Sequence, residues 1–183
     1  DINEEIDEEF FKRRFAAAWD YRQTVIDTSS CRFIFGEADF LPGLTIDKFN
    51  DYYVIQISTL GMDQYRDLIV KILVEEYNAK GVYERSDIKT REIEGLEQRK
   101  GFLTEPFNTD VEIIENGVKY IVDIENGQKT GFFLDQKENR AAIHKICKGR
   151  DVLLLYSYRV FCFKCWYSWC KISTWNRCFS TCC

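Results

Sequence analysis

The stretch "GQKTGFFLDQKENR", Gly127 to Arg140, holds a turn bracketed by two glycines, a pair of aromatic residues and a carboxylate at the mouth of a helix. Asp135 followed by Glu138 has the spacing of a capping box, in which the leading side chain accepts from backbone N–H groups that the first helical turn leaves open. This spacing predicts a helix from Gln136 through Arg140 and Ile143 to about Cys147. Gly127 and Gly131 permit a close backbone approach to a ligand, Thr130 offers a hydroxyl, and Phe132 and Phe133 offer a flat apolar surface for a ring. A capped helix with two core phenylalanines explains the same residues, and the motif alone leaves both readings open. Beyond the helix, "RDVLLLYSY" (Arg150 to Tyr158) is an apolar run of strand length, the helix-then-strand order that opens a doubly wound sheet.

Upstream of the turn, "VEIIENGVKYIVDI" (Val111 to Ile124) alternates around Asn116-Gly117, a strong signal for a tight hairpin. A second hairpin is predicted from Leu44 to Phe49 and Tyr52 to Ser58, joined at Asn50-Asp51. Between the hairpins, Leu68, Ile69, Ile72 and Leu73 form the apolar stripe of a helix, with Lys80 and Gly81 as its stop and Val82 to Arg85 as a short strand after it. Glu5 to Tyr21 reads as an amphipathic helix, with Phe11, Phe15 and Ala18 at helical spacing, Phe10 and Trp19 beside them, and Lys12, Arg13 and Arg14 on the wetter side. Its acidic residues read as a solvated face. His144 falls near the apolar face of the last helix, without a Ser, Cys or carboxylate constellation around it, and is assigned a structural role.

A chain of 183 residues with 45% hydrophobic and 30% charged residues is long enough to bury a real core and has the balance of a soluble protein. No apolar run of about 18 residues predicts a membrane span, and the acidic start "DINEEIDEEF" lacks the basic and then apolar order of a signal peptide. These features predict a cytoplasmic protein, and the missing initiator Met predicts that the chain begins inside a longer polypeptide. A formal charge of −5 argues against gripping nucleic acid by net charge, though a local basic face remains open.

The composition changes sharply after Arg159. Cys162, Cys165, Cys170, Cys178, Cys182 and Cys183 crowd there with Trp166, Trp169 and Trp175, and the stretch has no Gly, Ala, Pro, Asp or Glu. It shows neither helical nor strand periodicity and no turn chemistry. Four of these cysteines can be drawn as a zinc site, but the glycines or hairpins that shape a zinc knuckle are missing, so no metal is expected.

Four long motifs carry a resemblance. "FGEADFLPGLTIDKFNDYYVIQ" (Phe35 to Gln56), "YERSD" with "REIEGL" (Tyr83 to Asp87, Arg91 to Leu96), "ENGVKYIVDIENGQKTGFFLDQKENR" (Glu115 to Arg140) and "VLLLYSY" resemble, in that order, the bacterial large-subunit rRNA cytosine-5 methyltransferases that carry an N-terminal PUA domain. The match runs through nearly the whole chain to Tyr158. The resemblance implies a connecting helix at 1–24 and an α+β central domain at 25–108, built strand-strand-helix-strand-strand. It implies the beginning of a Rossmann-like α/β methyltransferase domain at 109–158 and an aberrant tail at 159–183. The PUA domain would lie before residue 1. S-adenosylmethionine is the implied cofactor and large-subunit rRNA the implied partner.

Carried onto this sequence, the resemblance assigns cofactor binding to Gln128, Lys129, Thr130, Phe132, Phe133, Asp135 and Arg140. Lys137 stands where the family tends to show Arg, which keeps the charge and loses the planar fork. Arg85 and Arg91 are candidates for RNA phosphate, with ion pairs to Asp87, Glu92 or Glu94 as the alternative. In the family a cysteine nucleophile adds to the cytosine ring, and it lies far beyond residue 183, so no catalytic residue is expected here and the chain is expected to be inactive. The resemblance also accounts for the tail. Tryptophan has the single codon TGG, so correcting a reading frame slipped by one nucleotide turns each tail Trp into the Gly that the family's cofactor turn and helix require. A non-enzymatic module that binds RNA or a protein is the competing reading.

Overall fold

A computed structural model describes residues 4–147, 152–154 and 172–174, which fall into two compact units. The first comprises Asp1–Ile113 and Ile121–Leu134, the second Ile114–Tyr120 and Asp135–Cys183.

The first unit opens with α1, Glu8–Val25, capped by the Asp7 carboxylate, which accepts from the Phe10 N–H at 2.8 Å. Glu8 and Glu9 add negative charge where the helix dipole is positive. Phe11, Phe15 and Ala18 line its buried face, as the spacing predicts. Five strands follow in the sheet: β1 (Ser30–Phe35), β2 (Leu44–Phe49), β3 (Tyr52–Ile57), β4 (Gly81–Ser86) and β5 (Arg99–Phe102), hydrogen-bonded in that order. All neighbours are antiparallel except β3 and β4, which run parallel because a helical crossover joins them. That crossover contains α2 (Leu60–Asp63) and α3 (Arg66–Tyr77), and the short α4 (Lys89–Ile93) precedes β5.

The β2–β3 hairpin and β4 stand where the sequence puts them, and β1 adds a strand at the sheet edge. Its register shifts between Arg32 and Ile34, so two residues crowd against one partner and the alternation that would mark a strand is broken. The stop of α3 also differs from the expected one. Asn78 ends the helix in the left-handed region at φ 52°, and Gly81 instead opens β4, where a Cβ would collide with the Phe107 ring. Among the described residues no helix is long and apolar enough to cross a membrane.

The core of this unit lies between α1, α3 and the sheet. Phe33, fully buried on β1, is its hub: its ring centroid lies 5.5 Å from Phe15, 5.4 Å from Trp19, 4.8 Å from Tyr77 and 6.1 Å from Tyr53. Edge-to-face and tilted contacts of this kind add to the burial of the rings themselves.

Strands β6 (Asp110–Glu115) and β7 (Val118–Asp123) form a two-stranded hairpin whose turn belongs to the second unit. Asn116 and Gly117 both have positive φ, 49° and 77°, the geometry of the turn type that matches strand twist. A 3-10 turn at Leu134–Gln136 leads into α5 (Lys137–Cys147) of the second unit, one residue later than expected because the first turn is tighter than α-helical. Strand β8 (Val152–Leu154) pairs in parallel with β9 (Ile172–Thr174). The strand expected at Val152 is therefore present, while Leu155 to Tyr158 lie outside the described residues. The tail is expected to lack regular structure, yet its described part, Ile172–Thr174, is a strand: two of its three residues are β-branched, and the β8 edge supplies the pairing. The cysteines and tryptophans assigned to the tail lie outside the described residues.

Two outcomes follow from the core. Phe33→Ala should cost about 3–5 kcal/mol, the range for emptying a buried aromatic site, measurable as a lower urea midpoint. Burial pushes the Cys31 thiol on β1 up to about 11. Its pKa is higher folded than unfolded, so its contribution to stability is complete below about pH 8.5 and lost as pH rises towards 11. Stability of the native protein should fall over that window, and Cys31→Ser should flatten the fall.

Candidate functional site

The loop from Asp123 to Gly131, within the first unit, closes on itself. The Asn126 N–H donates to the Asp123 carboxylate at 2.7 Å, the Gly127 N–H to the Asp123 carbonyl at 2.9 Å, and the Gly131 N–H to the Gln128 carbonyl at 2.9 Å. Both glycines are needed, for a reason other than ligand approach. A Cβ on Gly127 would strike the Asp123 carbonyl and the Gly131 backbone, and Gly131, at φ 121°, has Val122 and the Asp123 carbonyl against it. The space beside these glycines is filled by the protein's own atoms, the Asp123 and Gly131 backbone and the Val122 side chain.

Two buried side chains fix the loop to the sheet of the first unit. Arg85 on β4 donates through Nη1 to the carbonyls of Ile124 at 2.8 Å and Gly127 at 3.0 Å, and through Nε to Asp87 at 3.2 Å. Thr130 donates its hydroxyl to the Asp47 carboxylate on β2, and the same carboxylate is forked by Arg32 at 2.9 and 3.0 Å. Asp47 is wholly buried, and the Arg32 guanidinium balances its charge while the Thr130 hydroxyl supplies a further donor. Asp47 and Arg32 are absent from the sequence-based site. The available signal was an Asp in the middle of a predicted strand, a position where that residue is disfavoured unless something holds it.

The seven predicted cofactor residues divide accordingly. Thr130 and Phe132 are buried and face the interior. Gln128 and Lys129 are exposed, Phe133 is half-buried, and the Lys129 ammonium lies 4.6 Å from the centroid of the Phe133 ring. Lys129 has positive φ, 54°, which turns its side chain at the tip of the loop.

Asp135 and Arg140 belong to the second unit. Asp135 is exposed in the 3-10 turn before α5. Arg140 is buried and forks the Glu115 carboxylate at 2.8 and 2.6 Å, with both side chains nearly excluded from solvent. Its guanidinium pins α5 to the hairpin end through Glu115. Lys137 opens α5, and the side chain of His144 lies outside the described residues.

Neither arginine proposed for RNA reaches the surface. Arg85 is occupied by the loop carbonyls and Asp87, the ion pair named as its alternative. Arg91 is fully buried and bonds the Ile57 carbonyl at 2.9 Å, the Glu97 carbonyl at 2.7 Å and Asp63 at 2.9 Å, so its carboxylate partner is Asp63 in place of Glu92 or Glu94. Both guanidiniums are thus buried and engaged with protein acceptors. No cluster of metal-ligating side chains exists among the described residues.

The fold is of the kind found in S-adenosylmethionine-dependent methyltransferases. A Streptococcus mutans protein described as a SAM-dependent methyltransferase aligns with a TM-score of 0.76 at 25% identity, covering 94% of this chain and 45% of that one. A methyltransferase structure complexed with SAH aligns with a TM-score of 0.77 at 25% identity, covering 94% and 44%.

In sequence, the chain is 45% identical over 163 residues to the Ribosomal RNA large subunit methyltransferase I of Aliivibrio fischeri (strain MJ11), covering 86% of this chain and 41% of that relative. The chain thus spans about two-fifths of the length of the curated relatives it matches. No family model matches.

The loop geometry predicts that Thr130→Val, which leaves the buried Asp47 carboxylate short of a donor, costs about 1–3 kcal/mol in chemical denaturation. Arg85→Met, which keeps the stem and deletes the hydrogen bonds, should raise amide exchange at Asn126, Gly127 and Gly131 while leaving exchange in α1 unchanged.

Proposed function

We propose that this chain is part of an S-adenosylmethionine-dependent methyltransferase that modifies large-subunit rRNA in the cytoplasm, at C5 of a cytosine. The rRNA methyltransferase part of this reading is carried by the 45% identity over 163 residues to a ribosomal RNA large subunit methyltransferase, and its cytosine-5 part by the motif resemblance. The SAH-complexed structural neighbour supports the cofactor.

The residues on the first-unit loop fit such a cofactor in part. The half-buried face of Phe133 suits an adenine ring, and the exposed Gln128 amide and Lys129 ammonium suit its polar edges and carboxylate. Thr130 and Phe132 contribute by shaping the loop from inside. Asp135, at the start of the second unit, is kept in the proposal on its motif, as an acceptor for a cofactor hydroxyl or ammonium. Arg140 acts by holding α5 through Glu115. When bound, S-adenosylmethionine supplies an electrophilic methyl group, and this chain's residues hold and orient it.

Methylating C5 of cytosine requires a nucleophile that adds to the ring and makes C5 electron-rich. Cys31 is the free cysteine among the described residues, and burial raises its pKa to about 11, so it is a protonated, enclosed thiol at neutral pH. Among the described residues Cys31 does not supply that nucleophile, and this chain is proposed to contribute binding without methyl transfer. The self-contained core of the first unit equally suits a module that binds RNA without chemistry.

Equilibrium dialysis of labelled S-adenosylmethionine against the 183-residue chain, with unmodified large-subunit rRNA added in a parallel reaction, tests the reading. Retained cofactor, weakened about five- to tenfold by Phe133→Ala, with no methyl transfer, is the expected result. Cytosine-5 product from this chain would overturn its inactivity, and product at another base or position would overturn the cytosine-5 assignment. RNA binding without cofactor binding would favour the module.

A further inference from the structure

The loop between β1 and β2 displays two phenylalanines that the core does not use. Phe35 ends β1 and is 53% exposed, and Phe40 is 70% exposed. Phe40 also sits in the left-handed region, at φ 59° and ψ 31°, a conformation that strains a bulky side chain. An Asn or Gly would relieve the strain, and a polar residue would remove the exposed apolar ring, so the position keeps a bulky exposed ring at a cost in both conformation and solvation.

The loop is nonetheless held rigidly. The Phe35 N–H donates to the Asp39 carboxylate at 2.6 Å, Arg22 forks that carboxylate with two contacts of 2.6 Å, and the N–H groups of Phe40 and Leu41 donate to the carbonyls of Glu37 at 3.1 Å and Gly36 at 3.0 Å. Each exposed ring carries a guanidinium on one side: Arg14 lies 5.2 Å from the Phe40 centroid and Arg32 lies 5.2 Å from that of Phe35. Phe35 also lines a cavity of about 110 Å³, whose other lining includes Glu37, Thr45, Gln56 and Ser58. Every residue named belongs to the first unit.

We propose that this face binds unpaired RNA, with a nucleobase stacked on Phe40 and its neighbour on Phe35, the latter base meeting the polar groups of the adjoining cavity. The assignment rests on the RNA-directed reading above and deepens it by naming the surface and the form of RNA. The chemistry is that of single-strand recognition. A base needs a flat π-face, a rigid aromatic supplies it at low entropic cost, and a guanidinium behind the ring extends the stack. A duplex, whose bases are already stacked, has nothing to offer two isolated rings.

Electrostatics set a further expectation. Arg14 is 3.5 Å from Glu4 and Arg32 is paired with Asp47, so their charges are largely balanced within the protein. Phosphate attraction is then a minor part of binding. The logarithm of affinity should fall with the logarithm of salt no more steeply than about −1.4, two phosphates at −0.7 each.

Fluorescence anisotropy with a fluorescein-labelled single-stranded RNA of about ten nucleotides, and with the same sequence as a duplex, tests the proposal on the full 183-residue chain. The expected result is preference for the single strand, with Phe35→Ala and Phe40→Asn each weakening it about tenfold and Phe40→Trp preserving it. Phe40→Asn should at the same time leave the thermal midpoint unchanged or raise it, since it relieves the left-handed strain, a pattern that a purely structural Phe40 would not give. Binding of single-stranded RNA that neither substitution changes would overturn this surface while leaving the RNA-directed reading intact. Absence of RNA binding by the parent chain would overturn it whatever the cofactor experiment shows. Self-association that Phe40→Asn abolishes, without RNA binding, would assign the face to a second copy and likewise overturn it.

Discussion

The carboxylate of Asp47 organises the first unit around the loop that follows the second hairpin. It is fully buried in the middle of β2, it is forked by Arg32 from the neighbouring strand, and it takes the hydroxyl of Thr130 from a point far along the sequence. An uncompensated carboxylate there would be expensive, so the loop has to return to this spot for the unit to be satisfied. Arg85 repeats the arrangement with opposite polarity. Its buried guanidinium needs acceptors, and the Ile124 and Gly127 carbonyls meet that need. Two polar groups that would destabilise the sheet alone become the fasteners of a distant segment.

This fastening divides labour within the motif that resembles a cofactor turn. Gly127, Thr130, Gly131 and Phe132 are consumed in building the loop and seating it. Gln128, Lys129 and Phe133 are what the loop displays. A preorganised loop spends little further entropy on binding, the usual reason that ligand contacts sit on rigidly supported segments. Arg140 and Glu115 follow the same logic inside the second unit, where a buried two-pronged ion pair fixes the start of α5.

The loop after β1 makes the same trade on a surface. Arg22, Asp39 and three backbone hydrogen bonds hold a short turn firmly enough to keep Phe40 in a conformation that phenylalanine avoids. The rings it exposes, Phe35 and Phe40, are the ones left over after Phe33, Phe15 and Trp19 have filled the core.

Local elements were legible because local physics fixes them. Asn116-Gly117 needs positive φ at both residues, and Asn50-Asp51 separates two alternating runs; each pattern names its hairpin without reference to the rest of the chain. The apolar spacing of α1 and the apolar run of β8 carry the same kind of information, and the order of motifs carried the resemblance to the methyltransferases. Strand β1 was hidden because a register shift breaks its alternation, and the true stop of α3 because Asn78 takes a conformation more often given to glycine. Which motif residues point inward, however, is not a local property. Thr130 meets Asp47 across 83 positions of sequence and Arg85 meets Gly127 across 42. Spacing reports which face of a helix or strand a residue shares, and only the folded sheet decides which distant charge it must satisfy.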